Sequence, residues 1–255
     1  MELIDAHCHF DFPQFDGRRP AVLAEAGRAG ISRLVVPGVR RADWDRVVDQ
    51  ARQFSEVFYC LGIHPWFVTE HHVDDLDELR DRLRQRDPRC VGVGECGLDR
   101  LRGPLADQME WFERQVALAI ELDLPLVVHS VRCHDEVASV LRRQQVAVPV
   151  LVHGFAGSYE QAVRLVDLGC YIGVGGVITY SRASKTRNAI ARLPLASLVL
   201  ETDAPDMPPA GVAQGDNSPV RLPGIFEELS ELRAETSPQL GEALLANTRR
   251  LYRWS

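Results

Sequence analysis

Six polar side chains stand directly behind short apolar runs: His7 and His9 in LIDAHCHF, Glu95 in VGVGEC, His129 in PLVVHS, His153 in PVLVHG and Asp203 in LVLETD. His7 and His9 are two residues apart, so on a strand they share a face while Cys8 takes the other. Imidazole nitrogens and carboxylate oxygens in this mixture suit Zn, Mn, Fe or Co, with Mg a less natural occupant. A catalytic ion must keep a position open, and six ligands are more than one such ion takes. Two divalent ions about 3.5–4 Å apart, sharing a carboxylate, match the set better. The chemistry this predicts is hydrolysis. Metal charge can bring the pKa of a water to about 7, and Asp203 is the candidate to orient that water and accept its proton.

Flanking positions supply candidates for supporting roles. Asp5 and Glu201 each lie two residues before a ligand, on the same strand face and one layer deeper. They are placed to accept the second N–H of a ligand imidazole, or else to make a buried structural hydrogen bond. His64 follows another apolar run, in YCLGIHP, and either donates to a substrate phosphate or serves only to end its strand. Asp99 and Arg132 are candidates to line a substrate pocket, whereas His71 and His72 sit in a polar stretch and read as solvent-facing. His134 opens a helix and is given no role. Lys185 is the only lysine and lies in SRASKTRN, after the seventh apolar run. The carboxylated lysine that bridges two metals on the fourth strand of many barrel hydrolases therefore has no counterpart, and Glu95, at that place, is the candidate bridge.

The elements that must carry these residues are legible as apolar runs near 2–6, 32–37, 57–62, 89–94, 124–129, 148–153, 170–174 and 197–201. Runs such as LPLVV, apolar at every position, mark strands buried on both faces, as in a parallel sheet covered by helices. Helical spacing fills the gaps, most clearly in Leu105, Met109, Phe112, Val116 and Ile120. Ser158 to Gln161 reads as a capping box opening a helix that Gly169 ends. Periodicity alone leaves a closed barrel and an open doubly wound sheet both available. Ligands at the carboxyl ends of five strands favour the barrel, where such ends converge on one mouth. The expectation is an α/β TIM barrel occupying residues 1–255 as one domain, with the Pro/Gly-rich stretch 204–219 looping over the site.

Composition narrows the function classes. With 45% hydrophobic and 25% charged residues, the 255-residue chain is neither disordered nor collagen-like. No apolar run approaches the roughly 18 residues of a membrane span, and MELIDAHCHF lacks the basic start of a signal peptide. A cytoplasmic protein without membrane partners is expected. The net charge of −7 argues against a wide basic face for phosphate backbones, leaving nucleic acid as a substrate gripped locally. The six cysteines show no two-residue gap of a zinc knuckle and read as reduced, buried hydrophobes. Gly92, Gly94 and Gly97 spell a dinucleotide fingerprint, but LDRLRGPL rather than a helix follows, so no nicotinamide cofactor is expected. Those glycines are instead expected to let the backbone pass close to the metals.

IDAHCHFD, GIHP, GVGECGLD, VVHS, LVHGFAGS and LETDAPDMP together resemble the TatD family of metal-dependent hydrolases, and the stretch from IGVGGVITY to APDMP is similar to its YjjV-type branch. The resemblance runs from residue 4 to NTRRLY at 247–252. It implies a TIM barrel with metals at His7, His9, Glu95, His129, His153 and Asp203. It also implies phosphodiester hydrolysis, commonly 3′-to-5′ exonuclease action on DNA, with some members acting on other esters. Two positions depart from the family pattern: Val131 stands where Arg often follows His-Ser, and Arg100 where Tyr follows Gly-Leu-Asp. The alternative activity is metal-dependent hydrolysis of a small amide, lactone or aminoacyl ester, and a monomer is compatible with either.

Overall fold

The computed structural model describes residues 1–254. Within them eight strands pair in sequence order in one parallel sheet: β1 (Leu3–Asp5), β2 (Ile31–Gly38), β3 (Val57–Leu61), β4 (Cys90–Asp99), β5 (Leu126–Val131), β6 (Val150–Val152), β7 (Cys170–Val174) and β8 (Leu198–Leu200). Helices α1 (Arg19–Arg28), α2 (Arg41–Gln53), α3 (Val73–Arg84), α4 (Leu105–Leu122), α5 (His134–Arg143), α6 (Tyr159–Val166) and α7 (Ser184–Arg192) lie between successive strands. α8 (Leu222–Leu232) and α9 (Ser237–Leu251) follow β8. This is a TIM barrel, and each strand overlaps the apolar run that predicted it. No helix among the described residues is long and apolar enough to cross a membrane.

The sheet closes between β1 and β8. Ala6 N–H donates to Leu200 O (2.9 Å) and Asp203 N–H to His7 O (2.9 Å). Asp5 completes the seam by accepting from the Thr202 backbone N–H (2.9 Å) and hydroxyl (2.5 Å). Alternation along the strands divides the apolar residues in two. Leu34, Leu126 and Ile172 face the surrounding helices, whereas Val35, Cys60, Val127, Leu151 and Val199 fill the barrel interior. Tyr252, just past α9, closes the interior's lower end, its hydroxyl donating to Ala6 O (2.6 Å). The interior is thus apolar below and free to be polar at the upper, carboxyl-terminal mouth.

Local rules account for the helices that position the site. α6 opens on the expected capping box of Ser158 and Gln161. On α4 the buried face runs through Phe112, Val116 and Ala119, while Ile120, expected on that stripe, is 38% exposed. Two buried glutamines of α4, seven residues apart, clamp strand ends. The Gln115 side chain accepts from Ile63 N–H (2.7 Å) and donates to Ile63 O (2.9 Å). Gln108 does the same for Asp99 (2.7 and 3.1 Å).

The fourth strand differs from its sequence-based limits. It runs on to Asp99, with its register against β5 shifting between Val93 and Cys96. No helix opens after Gly97, and side chains on these glycines would run into the backbone of β5 or the residue before it. A Cβ on Gly94 would lie 2.6 Å from Val127 O, and one on Gly97 only 2.0 Å from His129 O. Close approach of two strands is what removes the side chains there.

The seam predicts a measurable cost. Replacing Asp5 by Ala leaves two buried Thr202 donors unpaired and should lower the unfolding free energy by about 2 kcal/mol or more, with Asp5→Asn milder because one acceptor remains. Urea titration of the variants checks this; an unchanged midpoint for Asp5→Ala would show that the seam does not need the carboxylate.

Candidate metal centre

The six residues singled out behind the apolar runs meet at the mouth. His7 and His9 leave β1, Glu95 lies on β4, His129 on β5, and His153 directly follows β6. Asp203 is brought beside His7 by the β1–β8 seam. His64, held by the Gln115 clamp on its neighbour Ile63, joins them from β3.

Glu95 is the hub. Its Oε1 lies 2.7 Å from His153 Nε2, 3.0 Å from His129 Nδ1 and 3.2 Å from His64 Nε2. Its Oε2 lies 3.3 Å from His9 Nε2 and 3.4 Å from His7 Nε2. Asp203 Oδ1 faces the same two rings at 3.2 Å (His7) and 3.5 Å (His9). His7 and His153 stack with ring centroids 3.8 Å apart.

Burial and crowding of charge set the protonation pattern. Burial alone would raise the Glu95 carboxyl, but His153, His64 and His7 outweigh it and hold Glu95 well below the usual range. Asp203 is likewise lowered against its burial by His7 and His153. Burial pulls His64 down to about 4, so its ring is neutral near pH 7. Its Nδ1 accepts the Trp66 backbone N–H (3.1 Å), which leaves the ring proton on Nε2, toward Glu95. His129 resists burial through Asp99 and Glu95 and is pushed up to about 9.

The donor set suits a divalent cation. His7 Nε2, Glu95 Oε2, His153 Nδ1 and Asp203 Oδ1 are all buried without a hydrogen-bond partner. Buried polar atoms are rarely left so, and a cation would satisfy several at once. Three groups have ligand atoms within 4.8 Å of one another: His7, His9 and Glu95; His7, His153 and Asp203; and His64, Glu95 and His129.

The supporting candidates fall into different places. Asp99 is buried, its Oδ2 on His129 Nε2 (3.3 Å) and Trp66 Nε1–H (2.6 Å), its Oδ1 on Leu101 N–H (2.8 Å). It therefore backs an imidazole rather than lining the cavity. Asp5 bonds Thr202 across the seam instead of a ligand ring. Glu201 accepts from Gly154 N–H beside His153, and burial pushes its carboxyl up to about 8. Arg132, at a φ of 53°, is exposed and stands outside the residues lining the cavity. Of the departures from the family pattern, Val131 lines the cavity, whereas Arg100 turns to Glu136 and Arg132 O. His71 is half-buried rather than solvent-facing, its ring bonded to Phe67 O and Arg41 N. Lys185 sits on α7, away from β4.

Above the cluster opens a cavity of about 390 Å³, within the span of small-molecule sites. Its apolar wall, which includes Phe12, Trp66 and Met207, was not singled out from sequence. Asp206, Met207 and Gln214 come from the loop 204–219, which does cover the site. No Arg or Lys among the described residues lines this cavity. A larger hollow, about 650 Å³ between α2 and α3, contains none of the clustered residues.

An eight-stranded barrel with such a cluster at its mouth defines a metal-dependent hydrolase. The family model described as TatD related DNase matches residues 4–253, and the chain belongs to that family. It is 44% identical over 251 residues to YjjV of Escherichia coli strain K12, named an uncharacterized metal-dependent hydrolase, covering 98% of this chain and 97% of the relative. The crystal structure of YjjV superposes with a TM-score of 0.95 over 98% of both chains. A relative from Pantoea ananatis named 3′-5′ ssDNA/RNA exonuclease TatD is 30% identical over 264 residues, covering 98% of this chain and 99% of the relative.

Metal should therefore stabilise the fold. Zn or Mn at about 100 times its dissociation constant should add about 2.7 kcal/mol and raise Tm, with chelation reversing the shift. Glu95→Gln should abolish most of it. Calorimetry of both proteins decides; equal shifts would remove Glu95 from the centre.

Proposed function

We propose that this chain hydrolyses phosphodiester bonds with two divalent ions, removing nucleotides from the 3′ end of DNA. The observation that carries this is the division of ligands about Glu95. His7, His9 and Asp203 gather on the side of one carboxylate oxygen or beside it, and His129 and His153 on the other. One ion would be held by His7, His9, Glu95 and Asp203, the second by Glu95, His129 and His153, with Glu95 shared. When bound, the ions supply Lewis-acid charge that acidifies water and neutralises phosphoryl oxygens. Zn, Mn and Mg are the candidate metals.

The chain's own residues supply the rest. Asp203, kept ionised by His7 and His153 despite its burial, accepts the proton of the attacking water. His64, neutral and protonated on Nε2, donates to a non-bridging phosphate oxygen. Asp99 accepts from His129 Nε2 and so directs the lone pair of Nδ1 toward the centre. Glu201 fixes the backbone after His153 through Gly154. The relative named a 3′-5′ ssDNA/RNA exonuclease supports the choice of substrate and polarity. The same reading has residues 1–255 acting as one barrel, monomeric and cytoplasmic.

A second reading, hydrolysis of a small amide, lactone or aminoacyl ester, draws on the cavity's apolar wall and its lack of basic residues. The two are separated by kcat/KM on single-stranded DNA and on a panel of such small substrates. Metal-loaded protein is expected to release mononucleotides from DNA labelled at its 5′ end, shortening it from the 3′ end, and to stop after chelation. Asp203→Asn should lower turnover by about 10²- to 10⁴-fold with an unchanged circular dichroism spectrum. Intact DNA after incubation with fully loaded protein would overturn the nuclease assignment.

A further inference from the structure

Trp66 stands at the mouth, on the 3₁₀ turn Pro65–Glu70. It is 47% exposed, whereas Trp44 is fully buried. Isolated exposed apolar side chains are common; Trp66 differs in being held rigidly. Its indole N–H donates to Asp99 Oδ2 (2.6 Å), its backbone N–H donates to His64 Nδ1 (3.1 Å), and the Arg102 guanidinium lies over the ring, 4.7 Å from its centroid. The ring sits in the wall between the cavity above the ligand cluster and a second hollow of about 320 Å³ bounded by Arg102 and Pro104. Its centroid is 5.1 Å from that of His64 and 6.2 Å from that of His129.

We infer that Trp66 is a stacking platform for the base of the nucleotide whose phosphodiester lies at the metal centre, an inference that rests on the phosphodiesterase reading above. A planar π-faced group next to a reacting phosphate is what an anchored indole one residue-width from the centre fits. Cation–π contact with Arg102 holds the indole in place from outside the cavity. The neighbouring wall of Phe12, Val131 and Met207 is apolar, and the cavity's polar side chains outside the ligand cluster, Asp206 and Gln214, bond to each other (3.3 Å). Recognition is therefore by stacking, tolerant of which base is present. With no Arg or Lys lining the cavity among the described residues, the base and the metals, rather than a basic track, locate the substrate. Asp99 touches both Trp66 and His129, so the platform and the metal-side imidazole share one support.

Two measurements on the full-length, metal-loaded protein test this. Thymidine 5′-monophosphate should quench tryptophan fluorescence, since Trp66 alone of the four tryptophans lines the cavity. Trp66→Leu should abolish the quenching and weaken nucleotide binding about 10-fold, within the range for one base–aromatic stack, while Trp66→Phe, which keeps a ring, stays within about three-fold of the parent. Next, kcat/KM is compared for thymidine 5′-(p-nitrophenyl phosphate) and ethyl p-nitrophenyl phosphate, which share a leaving group and differ in the nucleoside. The preference for the thymidine ester should fall about 10-fold in Trp66→Leu, mainly through KM. Taking the ratio cancels any disturbance passed through Asp99 to both substrates. If both esters are cleaved and the preference is the same in Trp66→Leu, the platform is overturned and the phosphodiesterase reading stands. If the nucleotide quenches Trp66 but neither ester nor DNA is cleaved, the platform stands and the phosphodiesterase reading falls.

Discussion

One buried carboxylate facing five imidazoles is the constraint from which the mouth of this barrel takes its form. Glu95 is 1% exposed, and His7, His9, His64, His129 and His153 all approach its two oxygens within 3.4 Å. An isolated carboxylate in such a place would be prohibitively costly, so it must be paired or bind a cation. The imidazoles come from four parts of the chain, at the ends of β1, β3, β5 and β6, and a closed ring of parallel strands brings them to one carboxylate. Barrel closure and site assembly are one event. The orphaned nitrogens and oxygens around Glu95 mark a pattern of polarity designed for added positive charge rather than for the polypeptide alone.

Much of the remaining structure keeps that cluster in register. α4 reaches across with Gln108 and Gln115, each copying the pairing of a peptide group, and so fixes the strand ends that carry Asp99 and His64. Space is made where strands would otherwise present side chains. A Cβ on Gly173 would fall 2.3 Å from the Glu201 carboxylate, so the seventh strand gives up its inward position to the acid of the eighth. The polar upper layer is then separated from the lower interior by Val127, Leu151 and Val199. The low dielectric of this apolar layer strengthens the charge interactions above it.

The ligand set was legible because its signals are local. A histidine behind an apolar run names both a strand end and a donor, and the two-residue spacing of His7 and His9 names a shared face. The capping box at Ser158 and the loop 204–219 were visible for the same reason. What escaped depends on contacts between distant segments. Asp5 could not be assigned to Thr202 because 197 residues separate them. The extension of β4 to Asp99 follows from pairing with β5, which no pattern within residues 89–99 announces. Asp99 consequently turned toward His129 and Trp66 instead of the cavity. Arg132 was drawn outward by a left-handed backbone that its residue type gives no reason to expect. Trp66 carried a weak signal, an aromatic two residues after His64 beyond a proline, which becomes informative only beside the cavity.

The closing seam also bears on how a ribosome delivers this polypeptide. Thr202 follows Asp5 by 197 residues and Tyr252 follows Ala6 by 246. At about 5–20 residues per second, roughly 10 to 40 s pass between translation of β1 and of its neighbour β8. Throughout that interval one edge of the growing sheet has nothing to pair with, a condition that invites association between nascent chains. That edge is only three residues long, ends on Asp5 and is followed by ionisable groups at His7 and His9, features that discourage such association. His7 and His9, which later meet Glu95 at the mouth, thus lie directly beyond the edge that waits longest for its partner.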